Sequence, residues 1–267
     1  QSNYEERTLT TPGFFEDYVK CPDPKRVEDF DWPDPTKYMN AADCKAAVTS
    51  VPQDYAIMGV LWSAHFQDAL AAFGMEKALV AMLKNPKMFQ AVIDRITDFY
   101  LTANDIFLKA TEGLLDCVLI GNDFGGQKGL MVSPRLIQKF VLTGTKMLID
   151  QAKEFNVKVI HHSCGSIHPL IPDLIKVGAD AIHPIQALAA DMDAQTLKRD
   201  FGDQTSFCGG VDAQFLLVMG QPTEVSTKVR ELKKIFPTGL IFSPSHEAIM
   251  PDTKPETIEA MFSAIKS

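Results

Sequence analysis

The feature that most constrains this chain is a rhythm that recurs from about residue 55 to its end. A short apolar run ends in polar or glycine residues, and a helical pattern then follows. The apolar runs are Tyr55–Val60, Asp116–Ile120, Val157–Ile160, Ala179–Ile182, Thr205–Cys208 and Gly239–Phe242. Between them, apolar residues recur at three- and four-residue steps, as in Phe66, Ala69, Leu70, Phe73, Leu79 and Leu83, and again from Pro86 to about Thr111. Ser133-Pro134 supplies an N-cap and first-turn proline for a helix to about Phe155. Shorter helices are expected over Ile171–Val177, Asp193–Phe201, Thr223–Ile235 and Pro255–Ile265.

Strand, polar strand end and helix in series mean parallel βαβ units, because a right-handed crossover brings each strand beside the last. The expected fold is α/β, a (β/α)8 TIM-type barrel that lacks its N-terminal strand or strands, since about six strands are counted where a barrel needs eight. Residues 1–50 are expected to be an irregular segment broken by Pro12, Pro22, Pro24, Pro33 and Pro35, with the barrel over 51–267. A dinucleotide site is set aside. No G-x-G-x-x-G follows the first strand, and Gly121 with Gly125-Gly126 is too loosely spaced.

Composition narrows the partners. A net charge of -8 without a basic run argues against nucleic acid and anionic membranes. No apolar stretch is long enough to span a bilayer, and no export signal precedes Gln1. Five cysteines without paired short spacings (Cys21, Cys44, Cys117, Cys164, Cys208) fit a reducing cytoplasm, and the expected location is cytoplasmic. Cys117, inside an apolar run, reads as a small core residue.

Chemistry in such folds gathers where the strands end. Those ends carry Asn122, Asp123, His161, His162, Cys164, His183, Cys208, Asp212, His246 and Glu247, and four of the six histidines are among them. His162-x-Cys164 is the sharpest signal. Residues two apart on an extended chain share a side, so an imidazole and a thiolate converge, the pairing that zinc prefers. A third ligand must come from another strand end, with His246 and Cys208 as candidates. Asp123 and Asp212 are expected to act on substrate as catalytic carboxylates. Asn122, His183, Trp62, His65 and Glu247 are the candidate substrate-binding residues around the pocket mouth. Each competes with a plainer role: a capping carboxylate, a packed histidine, a buried thiol.

The segment from Val159 through His162-Ser-Cys-Gly165 to Ile175, with Gly178-Ala-Asp180 and His183-Pro-Ile-Gln186, resembles the uroporphyrinogen decarboxylase superfamily. It is most similar to the cobalamin-dependent methyltransferase branch. Gly209-Gly-Val-Asp212 and the stretch from Phe242 to Glu256 support the same assignment, as do Trp32-Pro-Asp-Pro35 and Gly121-Asn-Asp-Phe-Gly125. The resemblance implies a (β/α)8 barrel and a zinc-dependent methyltransferase moving a methyl group between a small substrate and a corrinoid. It implies His162, Cys164 and His246 as metal ligands and places Cys208 second. The implied cofactors are zinc and a cobalamin supplied by a partner corrinoid protein, for the chain has no D-x-H-x-x-G motif of its own. A homodimer is a possible assembly.

Two departures matter. The arginine-rich segment and early aspartate that hold a tetrapyrrole in true uroporphyrinogen decarboxylases are not visible. Asn122 stands where the family leads one to expect an acid. The alternatives are a metal-dependent hydrolase or decarboxylase on the same barrel and a non-enzymatic binding module.

Overall fold

The structure, a computed structural model, describes Phe15 and residues 23–52, 54–246 and 248–267. The strands are β1 (Met58–Trp62), β2 (Cys117–Gly121), β3 (Gly125–Gly126), β4 (Gly129–Leu130), β5 (Lys158–His162), β6 (Ala181–Ile185), β7 (Ser206–Val211) and β8 (Leu240–Pro244). Six form one sheet in the order β1-β2-β5-β6-β7-β8, while β3 and β4 pair as a small antiparallel ribbon. The ladders β1–β2, β5–β6, β6–β7 and β7–β8 are parallel. A strictly sequential order is that of barrel winding; a doubly wound sheet would reverse direction at a switch point.

The chain divides into two compact units, one of residues 1–122 with 132–159 and the other of residues 123–131 with 160–267. The first holds β1, β2 and the long helix Pro86–Ala110, whose buried face is Met88, Phe89, Val92, Ile93, Ile96 and Leu108. Those residues recur at helical spacing behind a first-turn proline, so burial and capping agree. Phe89 stacks on Phe73 at 5.9 Å and meets Phe140 edge-on at 5.3 Å. All three rings are buried, each contributing about 1.5–3 kcal/mol by leaving water.

Three expectations change here. The pattern from Phe66 to Leu83 is two helices, His65–Phe73 and Met75–Lys84, because Gly74 takes φ 77°. A left-handed glycine ends one helix, and its carbonyl accepts the Ala78 N–H to open the next. The helix from Pro134 likewise divides at Val141, into Pro134–Phe140 and Leu142–Glu154. Finally, the stretch to residue 50 is not irregular throughout. Asp23 and Asp34 cap short 3-10 turns, and Asn40 caps an α-helix over Ala41–Thr49, each through a side-chain oxygen on a backbone N–H. Trp32 stacks on Phe15 at 5.7 Å and donates its indole N–H to the Val27 carbonyl.

The second unit holds β6 to β8, residues 160–162 of β5 and the ribbon β3–β4. Every residue of β6 is buried, as is all of β7 after Ser206, the state of strands covered on both faces. Helices Ile171–Val177, Ala194–Phe201, Pro222–Ile235 and Pro255–Lys266 alternate with these strands.

Candidate metal centre

β5 runs from the exposed Lys158 into four buried residues and ends on His161-His162. Adjacent strand residues face opposite ways, and the two imidazoles do. His161 stacks on Phe124, 6.0 Å between centroids and 11° from parallel, so it belongs to the packing. His162, completely buried, brings Nε2 to 3.2 Å from Asp123 Oδ1 and 3.4 Å from Cys164 Sγ. The Cys164 backbone N–H donates to the same carboxylate oxygen at 2.9 Å. One nitrogen, one sulfur and one oxygen, all within 4.8 Å of one another, form the candidate metal group among the described residues.

Two glycines make this convergence possible. Gly165 has φ +81°, and a Cβ there would lie 2.3 Å from the Gly125 carbonyl carbon and oxygen. A Cβ on Gly125 would sit 2.8 Å from the Cys164 carbonyl oxygen and the Ser166 nitrogen. Only bare backbone lets the two loops touch so closely. Hydrogen bonds then lace them. The Phe124 N–H donates to Ser163 Oγ at 3.0 Å, and the Ser166 N–H donates to the Gly126 carbonyl at 2.8 Å. From the end of β6, Gln186 Oε1 accepts the Gly165 N–H at 2.6 Å.

Register supplies the other neighbour. His162 stands opposite His183 across the β5–β6 ladder, and their Nδ1 atoms lie 2.7 Å apart. The His183 carbonyl also accepts the Ser163 N–H at 2.7 Å. Burial first, then repulsion from His162 and His246, pushes the His183 pKa down to about 3, so its ring is neutral at physiological pH. Burial works against ionising Asp123, but the hydrogen bond and charge of His162, with the Cys164 N–H, outweigh it. Its carboxyl is held below the usual aspartate value. The group thus carries a fixed negative charge beside two potential ligands.

The other candidate residues fall into place as follows. His246 lies just past β8, accepts the Ala248 N–H on Nδ1 at 3.1 Å and acts electrostatically on His183; it is outside the close group of three. Cys208 is buried with Sγ 3.4 Å from Ser243 Oγ, and burial pushes its thiol pKa up, which favours the protonated form over a ligand thiolate. Asp212 accepts the backbone N–H groups of Gln214, Phe215 and Leu216, a turn-capping arrangement at the end of β7. Glu247 lies outside the described residues.

Trp62, His65 and Asn122 belong to the first unit. Asn122 Oδ1 accepts the Phe66 N–H at 2.8 Å, and its amide lies 3.3 Å from His65 Nδ1. His65 sits between the Ser63 and Val141 carbonyls, each 3.2 Å from a ring nitrogen. Trp62 takes a left-handed φ of 57° at the end of β1. Sequence reasoning passed over Gln186, Ser163 and Gly125 as site-forming residues. All three stand inside the segments that carry the family resemblance, His162-Ser-Cys-Gly165, His183-Pro-Ile-Gln186 and Gly121-Asn-Asp-Phe-Gly125, and that was their signal.

A sequentially ordered parallel β/α sheet with a metal-capable donor set at its strand ends defines a class, the TIM-type barrels that work from their strand-end face. Within it, residues 11–267 match the family model for uroporphyrinogen decarboxylase (URO-D), and the chain belongs to that family. Comparison with curated proteins returns no match. Among solved structures, the chain is similar to a methyltransferase from Methanosarcina mazei, with TM-score 0.69 and 18% identity. The match covers 85% of this chain and 63% of the methyltransferase, and at that identity it is a likeness of fold. No helix among the described residues is long and apolar enough to cross a membrane.

Proposed function

We propose that this chain carries the metal site of a zinc-dependent methyltransferase, which moves a methyl group between a small substrate and a corrinoid held by a partner protein in the cytoplasm. The supporting observation is the convergence of Asp123, His162 and Cys164. Zinc bonds of about 2.0–2.3 Å at tetrahedral angles place neighbouring donor atoms about 3.4–3.6 Å apart. The 3.2 Å and 3.4 Å from His162 Nε2 come within a few tenths of an ångström of that spacing. A sulfur, nitrogen and oxygen set also suits a borderline-soft ion better than magnesium or calcium.

His162 Nε2, Cys164 Sγ and Asp123 are the proposed ligands, with His246 as the further donor. Bound zinc would supply Lewis acidity, lowering the pKa of a substrate thiol or comparable heteroatom so that its nucleophilic anion exists near neutral pH. Asp123 contributes negative charge and, through the Cys164 N–H, fixes the loop that presents the thiol. Burial of His162 and Ser163 keeps the rear of the group dry, which strengthens electrostatic interactions there.

The test is metal analysis together with demethylation of free methylcobalamin, read for the wild type and for His162→Ala, Cys164→Ser, Asp123→Asn and His246→Ala. Wild type should hold about one zinc per chain. His162→Ala and Cys164→Ser should lose both metal and methyl exchange, and the other two variants rank Asp123 against His246. Wild type without stoichiometric metal would defeat the reading. Metal-replete protein silent toward methylcobalamin would favour a hydrolase or decarboxylase.

A further inference from the structure

Each ring nitrogen of His162 has a defined neighbour. Nε2 faces the Asp123 carboxylate and the Cys164 thiol, while Nδ1 lies 2.7 Å from His183 Nδ1. Two nitrogens at that distance share one proton, so one ring donates and the other accepts. Neither ring chooses its place freely. His162 and His183 are direct partners in the β5–β6 register, and the Ser163 N–H ties that backbone to the His183 carbonyl. Both rings are buried, which leaves solvent little chance to replace the contact.

We infer that His183 is a positioning residue for the metal ligand His162, an inference that rests on the zinc reading above. A ligating nitrogen must offer a lone pair, so Nε2 can bind metal only when the His162 proton is on Nδ1. His183 Nδ1 is the acceptor for that proton. In the metal-bound arrangement His162 Nδ1–H donates to His183 Nδ1, and the His183 proton sits on its Nε2. In the metal-free arrangement the polarity can reverse: His162 Nε2–H donates to Asp123 Oδ1 and His183 Nδ1–H donates to His162 Nδ1. Both arrangements hold the same protons and differ only in which ring nitrogens carry them. Metal uptake therefore selects one tautomer of a coupled pair, and His183 is the residue that allows both.

Cobalt(II) is the probe, because its visible absorption reports affinity and coordination geometry without turnover. Binding is titrated in wild type, His183→Phe and His183→Gln, with circular dichroism checking the fold of each. Ring 15N spectra of metal-loaded wild type supply the second readout. His183→Phe keeps an aromatic ring but no acceptor, and should weaken cobalt binding on the order of 10–100-fold, the usual effect of losing such a supporting partner. His183→Gln restores an acceptor and should recover most of that loss, with His162 in the Nδ1–H form in the loaded wild type. A folded His183→Phe that binds cobalt as tightly as wild type, with the same spectrum, overturns the role of His183 and leaves the metal site standing. Wild type that takes up no cobalt overturns the site and this role together.

Discussion

Asn122 and Asp123 are neighbours in sequence, yet each serves a different histidine for a different purpose. In the first unit, Asn122 Oδ1 accepts the Phe66 N–H, the Asn122 amide lies 3.3 Å from His65 Nδ1, and His65 Nε2 lies 3.2 Å from the Val141 carbonyl. The result is a satisfied joint at the start of the His65–Phe73 helix. In the second unit, Asp123 and His162 face each other and a thiol, and their donor atoms converge on a common point. Buried polar groups are hydrogen-bonded as a rule, so burial alone does not identify a site. What distinguishes the second cluster is that an imidazole nitrogen, a thiol sulfur and a carboxylate oxygen lie within 4.8 Å of one another, a donor set that the first cluster lacks. An acid at 122 would also serve the first joint worse, since a carboxylate cannot donate toward His65.

The largest expected effect breaks the comparison outright. Cys164→Ser should take the metal content from about one ion per chain to trace levels, because a hydroxyl is a poor replacement for a thiolate on zinc. His65→Gln should leave metal content untouched although it alters an equally buried histidine. Elemental analysis of the two purified variants decides the matter; metal loss in His65→Gln would erase the distinction between the regions.

Next comes the loop contact that assembles the second cluster. Gly165→Ala would place a methyl 2.3 Å from the Gly125 carbonyl at a φ of +81°, so the loops must separate. The expected cost is about 3–5 kcal/mol, at the exceptional end for single substitutions. A Cβ at Gly126 meets nothing closer than 3.8 Å, so Gly126→Ala should stay within about 0.5 kcal/mol of wild type. Urea midpoints of both variants measure this, and equal midpoints would mean the glycine contact does not hold the loops.

Much of this fold and site is legible in the sequence. The alternation of apolar runs and helical stretches gave the order of elements, and His162-x-Cys164 gave two ligands from strand periodicity alone. The helix break at Gly74 was legible in the glycine itself, although apolar spacing continues across it; the break at Val141 depends on local backbone and carries no such signal. Asp123 was visible as a polar strand end, but its approach to His162 depends on a backbone contact between two glycines far apart in sequence. His183 was visible as a pocket residue. Its place opposite His162 follows from the β5–β6 register, which a one-residue slip would have reversed.

A smaller effect belongs to the first cluster. Asn122→Ala leaves the Phe66 N–H without its acceptor in a buried place, which should cost about 1–3 kcal/mol. Cobalt affinity should not change. Thermal melting and cobalt titration of the same preparation separate the outcomes, and weakened cobalt binding without loss of stability would place Asn122 in the metal site after all.

The smallest effect comes from a second histidine–aspartate pair, which shows what the residue types do without the geometry. His168 Nε2 lies 2.8 Å from Asp200, closer than His162 lies to Asp123. Here Arg199 engages both carboxylate oxygens, Nε at 2.7 Å and Nη2 at 2.9 Å, so the carboxylate is already committed. Arg199 first, and His168 after it, lowers the Asp200 pKa to about 2. A carboxyl whose folded pKa lies below its unfolded value of about 3.9 stabilises the fold above that pH, and the contribution disappears as the pH falls through about 2. The gap in urea midpoint between wild type and Asp200→Asn should therefore be constant near neutrality and close on acidification between about pH 4 and pH 2. Zinc content should be the same in both proteins at pH 7. A gap that widens in acid would contradict the ion pairing, whereas metal loss in Asp200→Asn would show that the arginine does not keep this carboxylate from serving as a ligand.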